Sequence, residues 1–235
     1  MKFNLKLFVL VGVLAGFRDV CGTEKNGENK DYGDFIVAGF EGNEELKAAM
    51  GGNRVIKAVY KAKFGGLLGI IDIEFKDKLS SILVCYGDKV EKVEAGAFKV
   101  PGNRICYDLG KGVEYTVYFI FKNELLNSTA SMFKWSQSLI RADFRCFNTI
   151  NVTDMSTMFQ GCSSLEELDL SNFNTSKVTN MADMFDLCTS LNLVSLPLKD
   201  VDIKKRCICC GDEYVRWNNH EVVGLNPKIV KGQEA

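Results

Sequence analysis

The chain contains 235 residues, of which 46% are hydrophobic and 25% are charged, and these proportions are ordinary for a globular protein. This length leaves room for one or two domains with a sizeable core. The formal net charge of −1 gives no bulk attraction to nucleic acid or to an acidic membrane, so the composition predicts no nucleic-acid partner.

The N-terminus has the pattern of a secretory signal peptide. The lysine-containing segment MKFNLK is followed by LFVLVGVLAGF, an apolar run of 11 residues. Such a run is shorter than the roughly 20 residues that span a bilayer, but it suits a signal peptide. We predict a signal peptide over residues 1–22, a flexible polar leader over 23–34, and a secreted or cell-surface-associated product without a transmembrane helix. The alternative is an amphipathic or buried N-terminal segment, which would leave the protein inside the cell.

Residues 35–123 are strand-like. Segments such as GIIDIEFK (69–76) and EYTVYFIFK (114–122) combine β-branched and aromatic residues with partial alternation, and glycine-containing turns separate them. One short helix is predicted at 44–50. We interpret this region as a small β-rich N-terminal domain that caps the part of the chain that follows.

A 26-residue repeat dominates the second half of the chain. The phrase VTDMSTMFQGCSSLEELDLSNFNTSK (152–177) returns as VTNMADMFDLCTSLNLVSL from residue 178, and a worn copy precedes both, with Met132-Phe133 in the place of Met158-Phe159. A fixed period of this length is typical of solenoids, whose units stack to bury their apolar faces. We predict three rungs over 124–198, the first degenerate and the last incomplete, and then a cysteine-containing segment over 199–235.

Each rung is expected to contain a strand and a short helix. LEELDLS (165–171) follows a leucine-rich-repeat pattern, in which alternation points Leu168 and Leu170 inward and Asp169 outward. Residues 178–185 place apolar side chains at helical spacing. The predicted fold class is therefore α+β, with the small β-rich N-terminal domain followed by a short leucine-rich-repeat-like α/β solenoid. The predicted repeat core consists of Met158, Phe159, Cys162, Leu165, Leu168, Leu170, Phe173, Val178, Met181, Met184, Phe185, Cys188 and Leu191.

The outward strand positions would form the natural binding face of stacked repeats. We expect them to contact a protein partner on a host or cell surface; the alternative is that they are simply solvated. Three strands offer less than the roughly 800 Å² per partner of a standard interface, so low affinity is expected through this face alone. The candidate residues are Arg141, Asp143, Glu167, Asp169, Leu193 and Ser195.

Eight cysteines remain after the predicted signal peptide, and an oxidising compartment would allow them to pair. Cys162 and Cys188 share one repeat position, where they form either a disulfide between rungs or, as we favour, two buried thiols. The cluster CICC (207–210), followed by His220, has metal-ligand residue types, but its spacing is tighter than that of zinc ligands. No metal or other cofactor is predicted. Three sequons mark candidate glycosylation sites, at Asn127, Asn151 and Asn174.

The sequence offers little for catalysis. Its one histidine, His220, would have to serve any Cys–His or Ser–His machinery. The patterns G-x-S-x-G and H-E-x-x-H and the glycine-rich phosphate loops do not occur in it. We therefore predict a protein that is not an enzyme, and a thiol hydrolase using His220 is the least favoured alternative.

The repeat pattern V-T-[DN]-M-x-x-M-F-x-x-C-[ST]-S-L, followed by L-D-L-S-N-F-[ND]-T, resembles that of BspA-like surface proteins, a leucine-rich-repeat family. The resemblance covers residues 126–198, and it weakens at Pro197, which stands within an expected strand. It implies a secreted or surface-displayed solenoid that acts in adhesion or host-protein binding without catalysis. The expected function is thus a secreted or surface-associated binding protein, with an intracellular interaction scaffold as the alternative.

Overall fold

The computed structural model describes residues 35–36, 42–197, 201–204, 214–217, 220–222 and 230–233, with the backbone alone in the last four ranges. The chain divides into two units, 1–36 and 37–235. The predicted signal peptide and leader lie outside the described residues. Within the described ranges, no helix is both long and apolar enough to cross a membrane.

The first half of the described chain contains one α-helix and six strands. Helix α1 (Glu44–Gly51) begins where the Asn43 side chain accepts a hydrogen bond from the Leu46 amide at 2.8 Å, which satisfies one of its free N–H groups. Two short 3₁₀ helices, η1 (Ile73–Phe75) and η2 (Ala95–Ala97), lie between strands. The strands are β1 (Val55–Lys61), β2 (Gly66–Asp72), β3 (Leu79–Tyr86), β4 (Lys89–Glu94), β5 (Arg104–Leu109) and β6 (Glu114–Phe121).

The repeats contribute one short strand each. These strands are β7 (Leu139–Asp143), β8 (Glu167–Asp169) and β9 (Leu193–Pro197). They pair in parallel with a shift of 26 residues, so that Ala142 lies beside Leu168 and Leu168 beside Val194. Four further strands follow: β10 (Val201–Lys204), β11 (Tyr214–Trp217), β12 (His220–Val222) and β13 (Val230–Gln233).

The main sheet joins the two halves of the chain. It has eight strands in the order β13-β9-β8-β7-β1-β6-β3-β4. Strand β7 pairs with β1 antiparallel, and therefore the repeat strands continue the sheet that begins in the N-terminal half. Strand β13 adds to β9 in parallel, with Val230 beside Val194. Two smaller sheets, β10-β11-β12 and β2-β5, complete the described structure.

The prediction of an α+β fold with a leucine-rich-repeat-like α/β solenoid is wrong, because the described chain is mostly β-structure. Residues 178–185, predicted to be helical, form turns in which Asp183 has a φ of 55°. Their carbonyls accept hydrogen bonds from the preceding repeat: Thr157 donates to Ala182 at 2.8 Å and Phe159 to Met184 at 3.0 Å. The backbone is thus satisfied between repeats instead of within a helix.

One aromatic stack runs through the repeats and into the N-terminal half. The rings of Phe133 and Phe159 are parallel at 5.8 Å, and those of Phe159 and Phe185 are parallel at 5.7 Å. Phe119 of β6 meets Phe133 edge-on at 5.7 Å. The repeats and the strands before them therefore share one hydrophobic core, which extends from Ile56 to Leu196 along the chain.

Candidate partner-binding surface

The parallel register brings the six predicted face residues together. Arg141 pairs with Glu167, and Glu167 with Leu193, so these three residues form one column across β7, β8 and β9. A second column lies two residues further along the same strands and consists of Asp143, Asp169 and Ser195. The two columns differ in how much of them a partner could reach.

The second column is occupied by contacts within the chain. Asp143 is 7% exposed, and its Oδ2 lies 2.7 Å from Nη2 of Arg145. Asp169 is 8% exposed, and its Oδ1 accepts hydrogen bonds from the amide and the hydroxyl of Ser171 at 2.9 and 2.6 Å. Neither carboxylate is in solvent, which departs from the outward position that alternation predicts. Both carboxylates instead hold the turn that follows their strand.

The first column is half-exposed. Arg141 forms an ion pair with Glu114 of β6 at 3.3 Å, and Glu114 also lies 3.5 Å from Lys61 of β1. Glu167 and Leu193 are half-buried beside it. Exposed ion pairs of this kind contribute little stability, about 0–1 kcal/mol each, so these charges remain available to a partner.

The predicted repeat core lies inside the molecule. Leu191 is half-buried and packs against the core, while the other predicted positions are buried. Leu139, Leu165 and Leu191 each donate an amide hydrogen bond to the residue three positions earlier, at 3.0 to 3.2 Å. The buried positions are Met158, Phe159, Cys162, Leu165, Leu168, Leu170, Phe173, Val178, Met181, Met184, Phe185 and Cys188.

Cys162 and Cys188 are free thiols in the structure. The Cys162 Sγ donates to the Phe133 carbonyl at 3.0 Å, and the Cys188 Sγ donates to the Phe159 carbonyl at 3.1 Å. Burial raises the pKa of Cys188 to about 12 and raises that of Cys162 well above its ordinary value. Each thiol is therefore protonated and tied to the preceding repeat, which makes it a poor nucleophile.

The three sequon asparagines lie on the turns of the repeats. Asn127 and Asn174 are exposed, whereas Asn151 is half-buried and its Oδ1 accepts a hydrogen bond from Nζ of Lys177 at 2.7 Å. Their glycosylation remains a prediction. The CICC cluster (207–210) lies outside the described residues, and His220 is described by its backbone alone, in β12. In the parts of the chain with described side chains, no three His, Cys, Asp or Glu residues are grouped as metal ligands.

Two left-handed backbone positions recur in every repeat, and the sequence reasoning missed them. Ser131, Thr157 and Asp183 have φ values of 59°, 53° and 55° at one position. Four residues further on, φ is 59° at Trp135, 73° at Gly161 and 59° at Leu187. The second set follows directly after F-K, F-Q and F-D in the three copies, so the 26-residue alignment alone could have revealed its members.

The second set forms an apolar ridge, defined here as Trp135, Gly161 and Leu187, in which Gly161 is buried and the other two side chains are exposed. Trp135 is 49% exposed and Leu187 is 50% exposed. The indole of Trp135 lies directly on Gly161, since a Cβ atom at Gly161 would be 2.1 Å from Cε3 of the ring. The ridge therefore presents one large aromatic ring and one leucine from a line of stacked turns.

Hydrogen bonds hold the ridge from both sides. The Trp135 amide donates to the Gln160 carbonyl at 2.7 Å, and the Gly161 amide donates to the Asp186 carbonyl at 2.8 Å. The Gln160 side chain donates to Oδ2 of Asp186 at 3.0 Å. From the N-terminal half, Arg104 donates to the carbonyl of Lys134 and to the Ser136 hydroxyl. The backbone under the ridge is thus preorganised.

The fold and this surface define a β-rich protein with three stacked 26-residue repeats. Residues 121–205, which include all three repeat strands, match the model of a family described as "Mycoplasma protein of unknown function, DUF285". At the level of the family, this match is consistent with the resemblance of the repeats to BspA-like surface proteins. No curated protein and no solved structure matches the chain.

Proposed function

We propose that this chain is a non-catalytic binding protein, secreted or displayed on a cell surface, which holds a protein partner through the ridge. The observation that carries the proposal is the half-exposed indole of Trp135, seated on Gly161 in line with Leu187. Contiguous exposed apolar groups on a folded protein mark interaction sites more often than isolated ones do. Tryptophan is also among the residues enriched in binding hot spots.

The dimensions of the ridge limit the interaction that it supports. Neighbouring strands lie roughly 4.8 Å apart, so two steps separate Trp135 from Leu187 by about 10 Å. A patch of this length anchors one or two partner side chains and falls below the area of a standard interface. We therefore expect micromolar affinity from the ridge alone, with tighter attachment where several copies engage one surface.

The test is a binding screen with matched variants. Purified protein is measured by biolayer interferometry against a panel of immobilised extracellular-matrix and cell-surface proteins. For any partner found, Trp135→Ala is expected to weaken binding roughly tenfold or more. An aromatic ring that becomes buried in the complex as a hot spot contributes a large part of the binding energy. Ile150→Ala removes another exposed apolar side chain, 43% exposed, and is the control. Equal affinity of wild type and Trp135→Ala would remove the ridge from the proposal.

An intracellular interaction scaffold is the second candidate function. It is favoured by one observation: Cys85, Cys106, Cys162 and Cys188, four of the cysteines with described side chains, are free thiols. Structural disulfides are rare in reducing compartments and common in secreted proteins. The ridge would bind a partner under either candidate function. The compartment of the protein determines whether that partner is extracellular or intracellular.

The intact mass of the protein made by its own cells separates the two candidates. It is measured before and after reduction, and again after glycosidase treatment. A chain that begins near residue 23 and loses mass with glycosidase supports secretion. A full-length chain whose thiols all react with an alkylating reagent after unfolding, without prior reduction, contradicts secretion and supports the intracellular scaffold.

A further inference from the structure

A second candidate site lies in the N-terminal half, away from the repeats. A cavity of about 510 Å³ opens between the β3–β4 hairpin and β5. Ile82, Phe98 and Cys106 are buried and form its floor, while Tyr86 and Tyr107 are half-buried at its walls. This volume and this apolar lining are within the range of small-molecule sites, which measure roughly 300–1,000 Å³.

The two tyrosines of the wall, Tyr86 and Tyr107, both pack against Tyr115, which does not itself line the cavity. The ring centroids of Tyr86 and Tyr115 are 4.8 Å apart, and those of Tyr107 and Tyr115 are 6.2 Å apart. The ammonium group of Lys89 lies 5.6 Å from the centroid of the Tyr86 ring. A cation of the chain itself therefore already uses one of these aromatic faces, as expected from the negative charge on the face of an aromatic ring.

One carboxylate is fixed beside the aromatic wall. The Tyr107 hydroxyl donates a hydrogen bond of 2.6 Å to Oε2 of Glu91, across from β5 to β4. Burial, and after it the bond to Glu91, holds the pKa of Tyr107 well above its ordinary value. Burial disfavours any charged group here, but the Glu91 carboxylate, which also disfavours a phenolate, favours a cation placed beside it.

The other charges around the cavity leave a negative balance. The ammonium of Lys92 is engaged on both sides, at 2.7 Å from a carboxylate oxygen of Glu45 and at 2.7 Å from one of Glu94. Among the remaining lining residues, Glu91 and Asp108 are acidic and Lys99 is basic. The cavity thus combines aromatic faces with excess carboxylate, and both attract cations.

We propose that the cavity between β3, β4 and β5 binds a small organic cation, whose alkylammonium head lies against Tyr86 and Tyr107 beside Glu91. The apolar floor suits the methyl groups of a quaternary ammonium. A strongly hydrated metal ion has no apolar groups to place there. This site is independent of the ridge, because none of its residues belongs to the repeats. The Lys89 ammonium lies over the Tyr86 ring but outside the cavity lining, and it would compete with the ligand for that ring.

The first experiment compares two ligands of the same shape. Backbone amide shifts of the full chain are followed by NMR during titration with choline and with its neutral isostere 3,3-dimethylbutan-1-ol. Choline is expected to shift amides of β3, β4 and β5 and to bind roughly three- to thirtyfold more tightly than the alcohol, the range of a cation–π contribution. Equal binding of the two would identify an apolar pocket and overturn the cation proposal, as would unmoved amides at 10-fold excess over about 1 mM protein.

The second experiment uses variants. Tyr86→Leu and Glu91→Gln are each expected to weaken choline binding severalfold, with melting temperature as the check on folding. Lys89→Ala is expected to strengthen it, because removal of the competing ammonium frees the ring. Lys177→Ala makes the same change of charge on the repeats and is the matched control. If Lys89→Ala and Lys177→Ala change affinity equally, long-range charge explains the effect and the proposed competition at Tyr86 is wrong.

Discussion

Gly161 is the residue on which the ridge depends. Its φ of 73° lies in the left-handed region, but Trp135 and Leu187 adopt similar angles at the same repeat position without being glycine. The turn alone therefore tolerates a side chain. What excludes a side chain at Gly161 is the indole of Trp135, 2.1 Å from the position of a Cβ. Glycine at this position and tryptophan in the preceding repeat form one pair.

The Gly161–Trp135 pair leads to a double-mutant prediction. Gly161→Ala should destabilise the protein by about 1–3 kcal/mol, because the ring must move and the ridge must repack. In a Trp135→Ala background the same change should cost about 1 kcal/mol or less, since the obstacle is gone. Urea unfolding measures both values. Gly51→Ala, where nothing lies within 4 Å of the added Cβ, is the control. Equal costs in the two backgrounds would contradict the pairing.

The buried thiols predict a loss of stability at high pH. Burial raises the pKa of Cys188 from 9.0 to about 12, so the unfolded chain loses this proton at lower pH than the folded chain does. The contribution is fully present below pH 9 and falls as pH rises toward 12, by about 1.4 kcal/mol per pH unit. Urea unfolding at pH 8 and pH 10 checks this slope against Cys188→Ser. Serine occupies the equivalent position in the first repeat, at Ser136, and does not titrate in this range. An unchanged slope in the variant would contradict the assignment.

The repeat element shows why the core could be predicted and the helix could not. The 26-residue alignment fixes which side chains recur, and stacked units bury what recurs, as at Phe159 and Phe185. The spacing of Val178, Met181 and Phe185 fits a helix, but a series of turns also directs these side chains into the core. What distinguishes the turns from a helix is the left-handed backbone at residues such as Thr157 and Asp183. Because these residues are not glycine, the sequence does not reveal their positive φ.

The strand element explains the different fates of Leu168 and Asp169. Alternation placed Leu168 correctly, and it is 2% exposed between Ala142 and Val194. It misplaced Asp169, because β8 ends at this residue and the carboxylate turns back onto Ser171. Alternation predicts direction within a strand and not at its end, where the turn takes over.

Leu168→Ala tests the packing of this element. The truncation should lower the free energy of unfolding by about 2–5 kcal/mol, because it opens a cavity between two neighbouring repeat strands. Leu125→Ala, a change of the same size at a residue that is 50% exposed, should cost no more than about 0.5 kcal/mol. Thermal and urea unfolding compare the two variants. A Leu168→Ala protein as stable as wild type would show that the Leu168 side chain does not contribute to the packing of the core.

At the scale of the whole molecule, the sequence indicated the order of the parts but not how they join. The pairing of β1 with β7 links residues about 80 positions apart, and nothing in the pattern of either strand names its partner. The same holds for β13, which pairs with β9 at a shift of 36 residues, from Val194 to Val230, instead of the 26 of the repeats. The longer connection includes the small sheet β10-β11-β12.

Strand β13 has a consequence for solubility that can be tested by truncation. It covers the free edge of β9, and an uncovered parallel edge presents unpaired N–H and C=O groups to other molecules. A chain ending at residue 222 should therefore self-associate at concentrations where the full chain is monomeric, as measured by sedimentation velocity over a dilution series. A chain ending at residue 233 retains β13 and is the control.

If the shorter chain sediments as the same species as the control at every concentration, pairing with β13 is not needed to keep the β9 edge from associating. If it associates and Lys231→Pro in the full chain does so too, the backbone pairing itself provides the protection, because proline removes an N–H group from the strand.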